Sequence, residues 1–368
     1  MANNSSNSSF FGLEAYPEEW PMPEKMTPQF KMGLSIYYSV LISISVLFNA
    51  VLIGTICAGR NLLTVTNILV MNLAIGDLLT SIFVVPFDID LLLRGVFPFG
   101  KVMCGFSSIA FLLSLPSSVF CLLLLTIERF VSIVFPFHRI RYIRKRNTLI
   151  AIGIAWIYSL FFAIIPLFSK DEVVVIWMEQ CHFLYSYEYL YLQLGLNFCS
   201  PVCMIVVMNL VLFRVASKHA CDMKRRSLIG SNHKVRPSMI KLGANIKAAK
   251  TVLVLVFVFL VCWLTLILLT IFNSLCNICH PEYVTYLGNA INFSSIALNP
   301  ILYGLRNSEI RRQFHKLKNN FLSLFCPYAK LPASDRSLMD SSSVYTTHYE
   351  VNSRKSSSAV TFITESET

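Results

Sequence analysis

The sequence predicts an all-α protein, a bundle of seven membrane-spanning helices followed by a short amphipathic eighth. Three observations predict it. The 368 residues are 55% hydrophobic and only 14% charged, with mean hydropathy +0.61, too little charge to coat a surface in water. Seven apolar stretches, at 34–58, 66–93, 103–134, 148–168, 188–215, 248–273 and 283–304, reach the length of about 20 residues that a helix needs to cross hydrocarbon. Charge is sorted between the connections. Bases gather at His138, Arg139, Arg141, Arg144, Lys145 and Arg146, across Lys218–Lys247, and after the last stretch from Arg306 to Lys318, while acids such as Glu18, Glu19, Asp171, Glu172 and Glu282 fall on the opposite side.

That sorting is the positive-inside pattern, and with an odd number of spans it places the N-terminus outside a plasma membrane crossed several times. The net charge of +11 therefore belongs to an inner membrane surface, and nucleic acid is excluded as a partner. Residues 1–31 form a polar, proline-containing outer tail. Asn3, Asn4 and Asn7 each open an N-x-Ser glycosylation sequon there. No cationic, cleavable leader precedes Met32, so the first span is expected to act as signal anchor.

The spanning domain runs over 32–304. Its connections are short except at 169–187 outside and 217–246 inside, where the inner one is expected to continue both flanking helices. Over 305–326, Leu305, Ile310, Phe314, Leu317, Phe321 and Leu324 fall on one side and bases on the other, which suits a helix lying on inner-leaflet lipid. Cys326 ends it as a palmitoylation candidate. Residues 327–368 are rich in Ser and Thr, a disordered tail with candidate phosphosites such as Ser341 and Ser356. Of the eleven cysteines, most lie in helices as small hydrophobes. Cys104, Cys181, Cys276 and Cys279 fall at outer positions, where bridges are permitted.

Polar groups inside a membrane are costly and mark function. Here they are few and ordered: Asn49 in the first span, Asn72 and Asp77 in the second, Ser118, Glu128 and Arg129 in the third, Asn299 and Tyr303 in the seventh. No span carries a histidine and no two acids pair within the membrane, which argues against a membrane metallohydrolase or any other enzyme. Charged rings and internal repeats, the marks of channels and transporters, are missing too.

These residues resemble those of rhodopsin-like G-protein-coupled receptors: Asn49, N-L-A-I-G-D (72–77), Cys104, E-R-F (128–130), Pro136, Trp156, Cys181, Pro201, C-W (262–263) and N-P-I-L-Y (299–303). Each motif is short, but they occur in order, one per expected helix. The resemblance covers about 34–326. It implies a receptor that transduces an extracellular ligand, or basal activity, into activation of a heterotrimeric G protein. Arrestin and receptor kinases are implied partners. Glu128, Arg129, Pro136, Phe137, Trp263, Asn299, Pro300 and Tyr303 become the coupling and activation residues. Cys104 and Cys181 become a bridge over the pocket. Cys276 and Cys279 stand either as a loop bridge, as in adenosine and melanocortin receptors, or as free thiols.

Asp77, Ser118 and Asn299 match the family's allosteric sodium site. The other reading of Asp77 is a protonated carboxyl within a hydrogen-bond network; no further cofactor is expected. The resemblance places the ligand pocket between the outer halves of spans three, five, six and seven. It is lined by Phe111, Leu112, Leu115, Leu266, Thr270, Asn289 and Phe293, with His182 and Phe183 after the bridge and Asp88 at the top of span two. Amine receptors carry an aspartate at the Phe111 position, so a non-aminergic ligand is expected. Opsins carry lysine at the Phe293 position, so the chain is no photopigment.

The chain also departs from the family. Thr265 stands where proline usually follows the Trp263 motif, Asn209 replaces a tyrosine, and Asn245 replaces an acid that restrains Arg129. The loss of that restraint predicts appreciable basal signalling, while the Asn209 and Thr265 departures could equally damp activation. The altered positions also keep a rival in view: a receptor-like scaffold or heteromer partner with no diffusible ligand.

Overall fold

The computed structural model describes residues 26–168, 174–177, 180–183, 186–228, 237–276 and 282–325. Asn3, Asn4, Asn7, Cys279, Cys326 and the tail beyond it lie outside the described residues, and so does the proposed Cys276–Cys279 bridge. Residues 1–313 make one compact unit and 314–368 a second.

The first unit is almost entirely helical. Helix α1 (Pro28–Ala58) starts inside the segment expected to be tail. Thr27 caps it by accepting the Phe30 amide, and Pro28 occupies the first turn, where no amide partner is needed. The second span is broken in two. Helix α2 (Val65–Phe83) ends at Val84 and α3 (Val85–Arg94) resumes with Pro86 in its first turn. Proline lacks the amide that would continue the ladder, so the chain re-aims there. Helix α4 (Gly100–Val134) is the third span and contains Pro116. A short α5 (Pro136–Tyr142) follows, then α6 (Lys145–Ile164).

The long outer connection is not wholly irregular. Strands β1 (Val174–Trp177) and β2 (Gln180–Phe183) pair antiparallel as a hairpin, with Ile176 opposite Cys181. Helix α7 (Tyr187–Leu194) passes through a single π-helical stretch at Gly195–Cys199 into α8 (Ser200–Leu228). Helix α9 (Pro237–Cys276) spans 40 residues and α10 (Glu282–Arg306) spans 25. Both α8 and α9 extend well into 217–246, as the sequence predicts for the inner connection. Helix α11 (Ser308–Phe325) opens on an Asn307 cap whose side-chain oxygen accepts the Glu309 and Ile310 amides. Its residues from Phe314 onward belong to the second unit.

Helix α4 is the central element and packs on α2, α6, α8 and α9, whereas α1 lies between α2 and α10, and α10 on α9. Besides its apolar core the bundle keeps its polar side chains inside, and its outside is apolar, the inverse of a soluble protein's surface. Asn49, Asp77, Glu128, Arg129, Asn292 and Asn299 are buried, while Ile157, Val207, Phe213, Phe257 and Leu268 are exposed. That inversion suits lipid as the surrounding solvent. With no hydrophobic drive between helices in lipid, close packing and hydrogen bonds of about 0.6 kcal/mol each hold the bundle. Asn49 donates to the carbonyls of Ser45 and Ile296 (both 3.0 Å), tying α1 to α10, and Ser45 bonds Ser81 across to α2 at 2.7 Å.

Six helical segments among the described residues are long and apolar enough to cross a membrane, the last being Thr251–Phe272. The sequence reading counted seven such stretches. The difference is α10: it has the length, but Asn289, Asn292, Ser294, Ser295 and Asn299 dilute its apolar character. Most of these face inward, so the helix answers to its neighbours rather than to lipid.

Candidate functional site

Three polar or hollow regions lie along α4. At the end near α5, Glu128 and Arg129 are buried. Arg129 Nε stands 2.9 Å from Glu128 Oε2. Thr66 on α2 joins the pair: its hydroxyl accepts from the Arg129 guanidinium and donates to Glu128 Oε2 at 3.2 Å. Ser132 donates to the other Glu128 oxygen at 3.2 Å, and Arg139 of α5 approaches that oxygen at 3.9 Å. Glu128 and Arg129, both named by the E-R-F motif, thus form a pair, and its partners come from α2, α4 and α5. The sequence reading missed Thr66; its only signal was a hydroxyl at the polar start of the second span.

Tyr303 is buried next to this cluster and donates to Asn67 Oδ1 at 2.8 Å. Asn307 donates to the Tyr303 hydroxyl at 3.3 Å. Pro300 sits inside α10. Pro136 and Phe137 open α5.

In the middle of the bundle, Asp77 is buried and accepts from Asn299 Nδ2 at 3.1 and 3.4 Å. Ser118 is half-buried on α4 and makes no hydrogen bond to Asp77 among the described residues. An ionised carboxylate has about four acceptor positions, and one amide leaves most of them open. The Asp77 carboxylate and the Asn299 side-chain oxygen are of the oxygen type that hard cations prefer, and among the described residues Ser118 is not in hydrogen-bond contact with them.

The third region is a cavity of about 210 Å³. Its walls come from the α2–α3 break and α3 (Val84, Phe87, Asp88, Leu91), from α4 (Ser107, Ser108, Phe111, Leu112), and from Phe97, Cys181 and Asn289. The Cys104–Cys181 disulfide, with 5.6 Å between Cα atoms, fastens β2 to α4 at its mouth. Aromatic rings stiffen one side: Phe87 meets Phe97 at 5.9 Å and Phe99 at 5.1 Å.

The cavity is shifted from the expected place. Asp88, Phe111, Leu112 and Asn289 line it, but Leu115 is packed in the main apolar core, Leu266 lies against that core, and Phe293 is buried edge-on against Tyr38. Thr270 turns its hydroxyl back onto the Leu266 carbonyl at 3.0 Å. His182 and Phe183 lie on β2. Spans two, three and seven make the hollow, because the Pro86 break opens space beside α4 whereas the α4–α9 contact is filled by Phe111, Phe259 and Trp263. At about 210 Å³ it is smaller than the 300–1,000 Å³ usual for drug-sized ligands.

The departures in spans five and six are also resolved. Thr265 donates its hydroxyl to the Val261 carbonyl at 2.9 Å and α9 runs unbroken; Asn209 does the same to Ile205 at 2.9 Å. Trp156 donates to Asn72 at 2.8 Å, joining α6 to α2.

This arrangement of helices, bridge and motifs is that of a membrane receptor. Residues 48–303 match the family described as 7 transmembrane receptor (rhodopsin family), and the chain belongs to it; it is a multi-pass membrane receptor and not an enzyme. It is similar to the octopamine receptor beta-2R of Chilo suppressalis, 24% identical over 338 residues that cover 84% of this chain and 85% of that one. It is similar as well to the allatostatin-A receptor of Bombyx mori, 23% identical over 88% of each chain. With the bombesin receptor subtype-3 of Ovis aries it shares 29% identity over 75% of this chain and 72% of the relative.

Proposed function

We propose that the protein sits in the plasma membrane with its N-terminus and hairpin outside, and that it converts binding of an extracellular ligand into nucleotide exchange on a heterotrimeric G protein. The observation that carries this reading is the layout of α4. Phe111 lines the cavity, and Arg129 lies 18 positions further along the same helix, in the Glu128–Thr66 cluster. At 1.5 Å per residue that is about 27 Å, most of a bilayer core. One continuous helix, with Pro116 between the two, thus carries the ligand end and the coupling end. A ligand favouring the state in which Arg129 is released shifts the population toward it. Relatives named for an amine and for peptides support signalling in general and leave the ligand open.

Asp77 with Ser118 and Asn299 takes a sodium ion in the resting state. The support is a buried carboxylate with acceptor positions to spare. The Ser/Thr tail recruits receptor kinases and arrestin after activation, supported by its composition alone. The test is purified receptor in nanodiscs with purified G proteins and labelled GTP analogue, without ligand and against lipid, peptide and metabolite libraries. Exchange above the receptor-free rate supports the reading. A second reading, a scaffold or heteromer partner with no ligand of its own, is favoured by the unbroken α9, and exchange that never exceeds the blank would establish it.

A further inference from the structure

We infer that Asp88 is the anionic anchor of the cavity and that the cavity takes a small organic cation with an apolar body. The inference rests on the receptor reading above for its physiological meaning, but not for its chemistry. Helix α3 carries two acids two residues apart, which an α-helix turns to nearly opposite faces. Asp90 is held by Arg94 one turn on, at 2.7 Å. Asp88 faces the cavity instead. Among the described residues its carboxylate has no ion-pair or hydrogen-bond partner. It is also the single charged residue among those lining the hollow.

Among the described residues no neighbouring positive charge neutralises Asp88. Asp88 lies in the first turn of α3, where the amide dipoles point their positive end at an acid. A ligand cation would supply the partner that this carboxylate lacks. The remaining walls suit such a ligand. Phe87, Phe97 and Phe111 line the hollow with aromatic surface against which a cation or its apolar body can pack, and Asn289 supplies one further polar contact from α10. At about 210 Å³ the space fits a compact amine rather than a peptide or an acyl chain. The expectation of a non-aminergic ligand rested on Phe111, and here the carboxylate stands one helix over.

The experiment is thermal unfolding of the full receptor in detergent with three probes, benzylamine, phenethylamine and benzyltrimethylammonium. Their uncharged counterparts are benzyl alcohol, 2-phenylethanol and neopentylbenzene. The cations are expected to raise the melting temperature of wild type and of Asp90→Asn, and the uncharged compounds are not. Asp88→Asn should weaken the cation response about tenfold or more, the size of a charge-assisted hydrogen bond, and Asp88→Glu should keep part of it. Asp88→Glu also serves if Asp88→Asn does not fold. The inference is overturned if no cation stabilises wild type, if uncharged compounds do so equally, or if Asp88→Asn responds like wild type. Nucleotide exchange in the same preparations separates the two readings. Cation binding through Asp88 without exchange removes the receptor reading and leaves this one standing, and exchange driven only by uncharged ligands does the reverse.

Discussion

The ring of Phe111 lies 6.4 Å from that of Trp263, inclined by 31°. Phe111 also lines the cavity, and Trp263 in turn meets Phe259 at 5.8 Å, the rings tilted by 34°. Three rings thus lead from the hollow into the core of α9. Phe111→Leu keeps an apolar side chain and removes the ring contact, worth about 0.5–1.5 kcal/mol. The variant is expected to melt a few degrees lower and to show altered Trp263 emission. Emission and melting equal to wild type would mean that the ring pair transmits nothing.

Thr66 holds Arg129 and Glu128 together, a task that the sequence reading sought on the sixth span. Thr66→Val removes a hydroxyl bonded to two charged groups, about 1.5–3 kcal/mol if the loss falls on the resting state alone. Since 1.4 kcal/mol is tenfold in population, basal exchange should rise about tenfold or more. Arg139→Ala should raise it far less, because Arg139 stands at 3.9 Å and its side chain is 39% exposed. Second-messenger output measured against surface expression checks both, and a flat wild-type line would contradict the predicted basal signalling.

The Asp77 proposal predicts an ion-specific stability. A bound ion adds stability as its concentration passes its dissociation constant. Wild type should therefore melt higher in sodium chloride than in N-methyl-glucamine chloride of equal ionic strength, and Asp77→Asn should melt alike in both. Equal melting of wild type in the two salts would favour the protonated carboxyl.

Cys104→Ser with Cys181→Ser should destabilise the fold by about 2–4 kcal/mol on the loop-entropy argument, and it frees the strand that supplies Cys181 to the cavity. The melting temperature should drop, and the cation response described for Asp88 should drop with it.

Much of the architecture was legible because lipid imposes simple rules. Apolar length located α4 and α6 to within four residues and α1 to within six, while the stretch at 188–215 fell across α7 and α8 and α9 starts eleven residues before its apolar stretch; the outer cysteines Cys104 and Cys181 found their bridge. The break at Val84–Val85 was not read, although Pro86 stood in the sequence, because proline inside a span bends some helices and merely strains others. The hairpin β1–β2 was not read either: four-residue strands carry too little periodicity to separate from loop. Membrane depth singled out Glu128, Arg129, Asp77 and Asn299, and the resemblance to the receptor family grouped them. The partners Thr66 and Asn67 did not, since a Thr or Asn near a helix start is most often a cap. The cavity shifted for a related reason. A list of facing positions does not say which of them packing will fill, and Phe111, Phe259 and Trp263 fill the space beside α9.

Helix α9 runs 40 residues with no proline after Trp263, its Thr265 hydroxyl folded back onto Val261. Such a rod is about 60 Å long, and it has no elbow. Where a hinged helix lets one half swing while the other stays seated, a straight one behaves as a seesaw. If α9 moves as one body, displacement of its inner half by a partner beside Arg129 would move Thr270 in the opposite sense, and a molecule that crowds the outer half would tip the inner one. By linkage the two occupants then tighten or loosen each other by the same factor. The stiffness that removes independent motion thereby ties the two ends of the receptor more closely than a flexible joint would.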